Sequence, residues 1–502
     1  MEPVILTIMT LSPLLGAFLI LFLPREDEWN IKLLATFSTF CSFLLSVYVF
    51  VAFDRNLGSG SLQFLEKITW IKGIGISWIM GIDGINLPMI LLTGIISFVC
   101  ILVSFSIKER CREYFILTLV VLCGVFGVFC TQDLFFFVIF YEMASIPMYF
   151  LISIWGSNKK DGAREVRKDY SALKLTIYLQ LGGGLVLLGI LGAYFLAGLP
   201  QGMARTFSLN DMINYANLAR GVQIILFPLI FIGFAIEAGT VPFHTWLPDG
   251  HSAAPTALSM VLAGVLLKMG GYGIMKIAIG LAPQGAHFWL PAVAVLGVIS
   301  LLYGALCALN QTDIKYMIAY SSVSHMGIVL LGISTQSAMG LSGALFQMFS
   351  HGVITALLFA IAGLLYEKTK TRSMPDMGGL AAKMPFIASL FILGGLAALG
   401  LPGMSGFVAE LLVFMALFTA NMPLFGVLAT GSLVLTALYI LRAVQRMFFG
   451  EPPDRPLQDG QSMELAPMII LVLVIIVLGV YPKLLMDVMN SSTAYLAELL
   501  HI

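Results

Sequence analysis

Charge is what this 502-residue chain has least of: Asp, Glu, Lys and Arg make up 11% of it, against about 25% in a soluble domain. The 27 basic and 27 acidic residues cancel, so no net charge draws the chain to nucleic acid or to an acidic partner. Cysteine is scarce and scattered. Cys41, Cys100, Cys111, Cys123, Cys130 and Cys307 form no CxxC pair. Metal or iron–sulfur ligation needs clustered thiolates, so these read as small apolar core residues. Gly182-Gly183-Gly184 opens no strand–helix unit and is no dinucleotide fingerprint; it suits close helix packing. The longest loops, about 54–86 and 197–221, are too short for a separate soluble core. Val4–Leu23 has neither a basic leader nor a small-residue cleavage site and reads as a first membrane span, not a signal peptide.

What is abundant is oil. Hydrophobic residues make up 59% of the chain, with mean hydropathy +0.96. The expected fold class is an all-α polytopic membrane protein. About 20 apolar residues cross the hydrocarbon. Roughly fourteen such runs occur: 4–23, 32–53, 87–106, 114–130, 132–154, 170–196, 222–243, 253–281, 287–309, 314–333, 339–365, 385–418, 422–448 and 466–488. The very short connections Thr131-Gln132 and Gln311–Asp313 imply antiparallel hairpins. Loops after odd-numbered spans hold about 18 of the 27 Lys and Arg, most densely in Lys159–Lys168 and Lys368–Lys383, which places them in the cytoplasm and both termini outside.

Two spans carry helix breakers. One reads Glu237-Ala238-Gly239-Thr240-Val241-Pro242; the other reads Gly400-Leu401-Pro402-Gly403 and Ser405-Gly406, followed by Glu410. Proline removes an internal hydrogen bond, and open backbone at bilayer depth survives only where protein or water satisfies it. The interrupted spans are the seventh and the twelfth. Their spacing suggests a repeated unit of five, spans 4–8 and 9–13, with an ion site between inverted repeats. The single transmembrane domain 1–502 then divides into 1–112, a first repeat 113–281, a second repeat 282–449 and a C-terminal span 450–502. An ordinary proline kink is the plainer alternative; a Glu close to each break favours function.

Ionisable groups inside spans are costly and mark ion or proton paths by default. Glu142, Glu237, Glu410, Lys174 and Lys268 lie in such segments. Desolvation penalises the charged form of Glu142 and Lys268, which suits a proton that is handed on near neutral pH. His325 and His351 lie mid-span with hydroxyl neighbours, and each can accept at one ring nitrogen while donating at the other. Fixed ion pairs that only brace the bundle are the alternative reading. His244, Asp249 and His251 fall in a short turn between spans seven and eight. Their spacing fits no helical zinc motif, so turn capping or proton uptake is the reading there.

At these residues the chain resembles a known family. VPFHTWLPDGHSAAPTALSMVLAGVLLKMGGYG (241–273) is similar to the signature of antiporter-like subunits of respiratory complex I. YSSVSHMG (320–327), GLPGMSGFVAE (400–410) and FYEMASIPMYFLI (140–152) resemble its M-type subunit, chain 4. The resemblance implies fourteen spans with two inverted five-helix repeats and a proton-translocating role in an NADH:quinone oxidoreductase or close relative. It puts the family's essential glutamate on Glu142, its central lysine on Lys268, its exit glutamate on Glu410 and its bridging histidines on His325 and His351. L- and N-type subunits, and the antiporter subunit of multi-subunit Na⁺/H⁺ exchangers, typically carry Lys at the Glu410 position.

The resemblance also implies partners: the L- and N-type antiporter-like subunits in a bacterial or archaeal cell membrane. NADH, FMN, Fe–S clusters and quinone belong to partner subunits, and no cofactor is expected in this chain. One position departs from the pattern. Most members carry Lys in span seven, where this chain has Glu237. The expectation is that Lys174 pairs with Glu142 and that Glu237 is an additional proton carrier. A Na⁺/H⁺ antiporter subunit, the same module with another electron donor, and a purely structural subunit are the rival functions.

Overall fold

The computed structural model describes residues 4–55, 60–161, 164–198, 204–215, 217–454 and 456–501. Twelve helices among them are long and apolar enough to cross a membrane. They are span 2 (Glu28–Ala52), span 3 (Asn86–Ser106), span 4 (Cys111–Cys130), span 5 (Leu134–Trp155), span 6 (Lys168–Leu196), span 7 (Arg220–Glu237), span 8 (Thr256–Ile279), span 9 (Pro283–Leu309), span 10 (Ile314–Ser334), span 11 (Ala338–Thr369), span 13 (Pro423–Phe448) and span 14 (Ser462–Val480). Span 1 (Ile5–Ile20) is shorter, and span 12 is split into Pro385–Ala398 and Ser405–Thr419. Including these two restores the fourteen expected. Spans 8, 10 and 11 are almost wholly enclosed by the others, so they form the centre of the bundle.

The repeat is visible in hydrogen bonds. Asp133 starts span 5 by accepting from the N–H of Phe135 at 2.9 Å and Phe136 at 3.3 Å. Asp313 starts span 10 in the same way, from Lys315 at 2.8 Å and Tyr316 at 3.2 Å. Each aspartate takes up orphan donors of a first helical turn. Each also sits in an isolated β-bridge, Asp133 with Ser208 and Asp313 with Ser373. The flanking backbone bonds correspond. Leu134 N–H donates to Phe207 and Leu209 to Gln132, both at 2.8 Å; Ile314 donates to Arg372 at 3.1 Å and Met374 to Thr312 at 2.9 Å. The packing corresponds too: span 4 against 5 and 6 against 7, then 9 against 10 and 11 against 12. Because the first bridge follows an even span and the second an odd one, the two lie at opposite ends of the bundle, as an inverted repeat requires.

The two breaks share a backbone pattern. Gly239 (φ 64°) and Gly400 (φ 74°) adopt the left-handed conformation that favours glycine. In the first, Gly239 N–H donates to Ile236 and Thr240 to Ala235; in the second, Gly400 donates to Ala397 and Leu401 to Leu396. Side chains close the remaining gaps of the first break. Val241 N–H reaches Ser300 Oγ and Trp246 Nε1 reaches Ile236 O, both at 3.0 Å. Helix then resumes as Trp246–Ala253. His244, Asp249 and His251 are therefore not in a turn between spans: His244 lies in the single 3₁₀ turn after the break, and Asp249 and His251 lie on the second half of span 7. The expected boundary of span 8 at 253 moves to Thr256 for the same reason.

Two elements carry no strong apolar run and escaped the sequence reading. A hairpin, β1 (Gln63–Ile71) and β2 (Ile76–Ile82), ties spans 1 and 5 together. Glu66 accepts from Leu6 and Thr7 N–H at 2.7 and 3.1 Å, and Ser77 N–H donates to Asp133 at 2.9 Å. A terminal helix, Lys483–Leu500, follows span 14 and lies against span 11, with Thr493 Oγ1 at 2.7 Å from Ser342 Oγ. The region 450–502 thus holds two helices rather than one.

Candidate functional site

Lys268 is fully buried at the middle of span 8. The helix around it is irregular: π-helical turns at Leu262–Leu266 and Ile274–Ile279 flank Leu267–Gly273. Such turns loosen the i→i−4 ladder and recur at functional sites. Here the Lys268 ammonium donates to the carbonyl of Ala263, inside the first π turn. Its other partner is His351 Nδ1 at 2.8 Å. An ammonium only donates, so His351 accepts at Nδ1 and carries its proton on Nε2, which is enclosed and without a partner among the described residues. No carboxylate pairs with Lys268 there.

The polar path continues through spans 10 to 12. The His351 and His325 rings stand 5.3 Å apart, centroid to centroid. His325 Nδ1 lies 3.1 Å from Gln347 Nε2 and 3.8 Å from Glu410 Oε1. His325, His351, Gln347, Ser321 and Glu410 line one small chamber of about 10 Å³, on the threshold of what a single water needs. Glu410 folds back toward its break: a Cβ on Gly400 would collide with Glu410 Oε2. The glycine thus gives the break its φ and the carboxylate its room.

The acids of spans 5 and 7 are laid out differently from expectation. Glu237, fully buried, accepts from Tyr141 Oη at 2.9 Å, and its Oε1 meets no partner among the described residues. Glu142 is only half-buried, and its Oε2 accepts from Gln180 Nε2 at 2.5 Å. Lys174 is not the cation beside Glu142. It pairs with Asp249 at 2.8 Å, and Tyr316 donates to the other Asp249 oxygen at 2.8 Å. The reason is geometric: helix resumes after the break and carries Asp249 alongside span 6, against which it packs. His251 is wholly enclosed, its ring stacked 4.9 Å from Phe359. Sequence reading missed Tyr141 and Gln180. The only signal for them was polarity inside apolar runs, which marks most buried hydroxyls and amides equally well.

A fourteen-span bundle with two inverted broken helices and a buried lysine–histidine–glutamate line defines the class of antiporter-like membrane subunits. Residues 131–436 match the family described as NADH:quinone oxidoreductase/Mrp antiporter, transmembrane region. The chain belongs to that family. It is 37% identical to a chain 4 of NAD(P)H-quinone oxidoreductase from Thermosynechococcus vestitus, over 99% of this chain and 92% of the relative. Its fold matches a chain of respiratory complex I from Thermus thermophilus with TM-score 0.87 at 30% identity, covering 99% of both chains. It also matches a chain of the Mrp complex from Dietzia, with TM-score 0.85 at 22% identity over 99% of this chain and 100% of that one, a likeness of fold alone.

Proposed function

We propose that this chain is the M-type proton-translocating subunit of an NADH:quinone oxidoreductase-type complex, and that it performs no redox chemistry itself. NADH, flavin, Fe–S clusters and quinone act in other subunits, and the L- and N-type antiporter-like subunits are its neighbours in the membrane. The observation that carries the reading is Lys268. A cation held mid-bundle by a backbone carbonyl and a neutral imidazole lacks the counter-charge a structural ion pair would supply. Its proton has an onward acceptor line in His351, His325 and Glu410.

The seven residues then take roles in sequence. Basic loops place the odd-loop end in the cytoplasm. Protons are taken up there near Lys174, which Asp249 holds in position, and loaded at Glu142 and Glu237. They pass to Lys268, cross His351 and His325, and leave past Glu410 to the outer side, where both termini lie. The half-burial of Glu142 fits a carboxylate that a neighbouring subunit covers. The test is proton uptake by sealed vesicles containing the intact complex, with quinone reduction measured alongside. Lys268→Ala should remove proton uptake and coupled electron transfer together. Intact electron transfer with lost Na⁺ tolerance would instead identify a Na⁺/H⁺ antiporter subunit. No change in either would leave the charges as braces.

A further inference from the structure

A second cavity, of about 620 Å³, lies between the ends of spans 3, 11 and 14 and shares no lining residue with the chamber beside Glu410. Its volume falls among those of small-molecule sites. The rim is apolar, with Leu102, Phe105, Leu364 and Met468. The wall also carries two cations, Lys315 and Arg372. Lys315 is 2% exposed, and its ammonium donates to one backbone carbonyl, Ala254 O, at 2.9 Å. Arg372 donates to Ser252 O at 2.8 Å and Ser157 Oγ at 2.5 Å, and its guanidinium lies 4.7 Å from the Tyr366 ring. Its Nε is enclosed and without a partner among the described residues.

Neither cation forms an ion pair among the described residues. The nearby acids are otherwise engaged or outside. Asp313 caps span 10, Glu464 pairs with Lys368 at 2.9 Å, and Glu367 is exposed. Lys315 is enclosed and Arg372 half-buried. Asp313 acts on Lys315 only from its capping position on the same helix. Two neighbouring cations without an ion pair are costly, so an anion from outside the chain suits the cavity. We propose that this cavity binds an anionic phospholipid, its phosphate between Lys315 and Arg372 and one acyl chain along the apolar rim. Phosphate oxygens accept several charge-assisted hydrogen bonds at once, and these two side chains only donate. The apolar rim favours a lipid over free phosphate. So does position: the cavity lies at the end of the bundle that carries the basic loops, facing the leaflet richest in anionic lipid.

The test is native mass spectrometry of the intact complex in mild detergent, counting lipid retained after delipidation. Wild type should keep one anionic phospholipid per copy of this chain. Arg372→Gln removes charge, and Ala466→Phe narrows the mouth without touching either cation. Arg372→Gln should weaken retention by roughly tenfold or more, the size of one lost hydrogen bond to a charged group, and Ala466→Phe should weaken it by steric exclusion. Added inorganic phosphate should not displace the lipid. Equal retention in wild type and both variants, equal retention of a zwitterionic lipid, displacement by phosphate, or a neighbouring subunit's carboxylate seen on Lys315 would each overturn the assignment.

Discussion

Asp249 stands in the first repeat where Glu410 stands in the second: each lies ten residues beyond the left-handed glycine of its break, Gly239 or Gly400, on the helix that leaves it. Both acids also meet span 10, Asp249 through Tyr316 and Glu410 through His325. Inverted repeats place such equivalent groups toward opposite membrane faces. If protons leave past Glu410 as proposed, Asp249 is its counterpart on the uptake side. Asp249→Asn frees Lys174 and removes a titratable carboxylate, so the initial rate of proton uptake in energised vesicles should fall by roughly tenfold or more. Asp249→Glu should recover much of it. An Asn variant that pumps at the wild-type rate would reduce Asp249 to a brace.

Lys268 offers a way to separate function from stability. Replacing a poorly compensated buried charge by an apolar side chain of similar size is often neutral, or stabilising by about 1–4 kcal/mol. Lys268→Met should leave the melting temperature of the complex unchanged or raised while abolishing coupled proton uptake. A cation that served only to hold helices together would give the opposite result, a lower melting temperature with pumping retained.

Gly183 and Gly184 form a matched pair of sites on span 6. A Cβ at Gly183 would fall 2.6 Å from Glu142 Oε1, whereas at Gly184 it would meet nothing within 4 Å. Gly183→Ala should push the Glu142 carboxylate off Gln180 and slow pumping severalfold. Gly184→Ala should pump normally and gain up to about 1 kcal/mol from helix propensity. Parallel rate and thermal-melt measurements on the two variants check both halves of the prediction.

Much of this architecture was written in local chemistry. The apolar runs gave the spans because a lipid-facing helix has no other way to be solvated. Glycine and proline gave the two breaks because their backbone limits do not depend on context. What stayed hidden depends on distant partners. Lys174 reads equally well against Glu142 or Asp249 until the resumed helix after Pro242 is seen to lie along span 6. The β1–β2 hairpin lacks clean alternation, since Ile68, Trp70 and Ile71 are all exposed, and the terminal helix Lys483–Leu500 is amphipathic rather than apolar. The repeat itself was present as Asp133 and Asp313, two short polar residues before apolar runs. It became legible only once each was seen bridged to a serine beyond the next two spans.

Glu237 stands where the resemblance leads one to expect Lys, and its surroundings suit the proposed role of a proton carrier. Tyr141 donates to one oxygen, and the other is enclosed without a donor among the described residues. A carboxylate anion enclosed with a single donor is costly; a carboxylic acid with its proton on the free oxygen is far less so. The site therefore suits a proton held and released as Glu142 changes charge nearby. Glu237→Gln keeps the shape and the Tyr141 contact but cannot release a proton, so pumping should fall while assembly of the complex is preserved. Glu237→Lys should behave differently, because a cation there can pair with Glu142 and relieve the need for a second acid. Proton-uptake rates ordered wild type, then Lys, then Gln support the carrier role. A Gln variant at the wild-type rate removes Glu237 from the path and leaves Glu142 to load Lys268 alone.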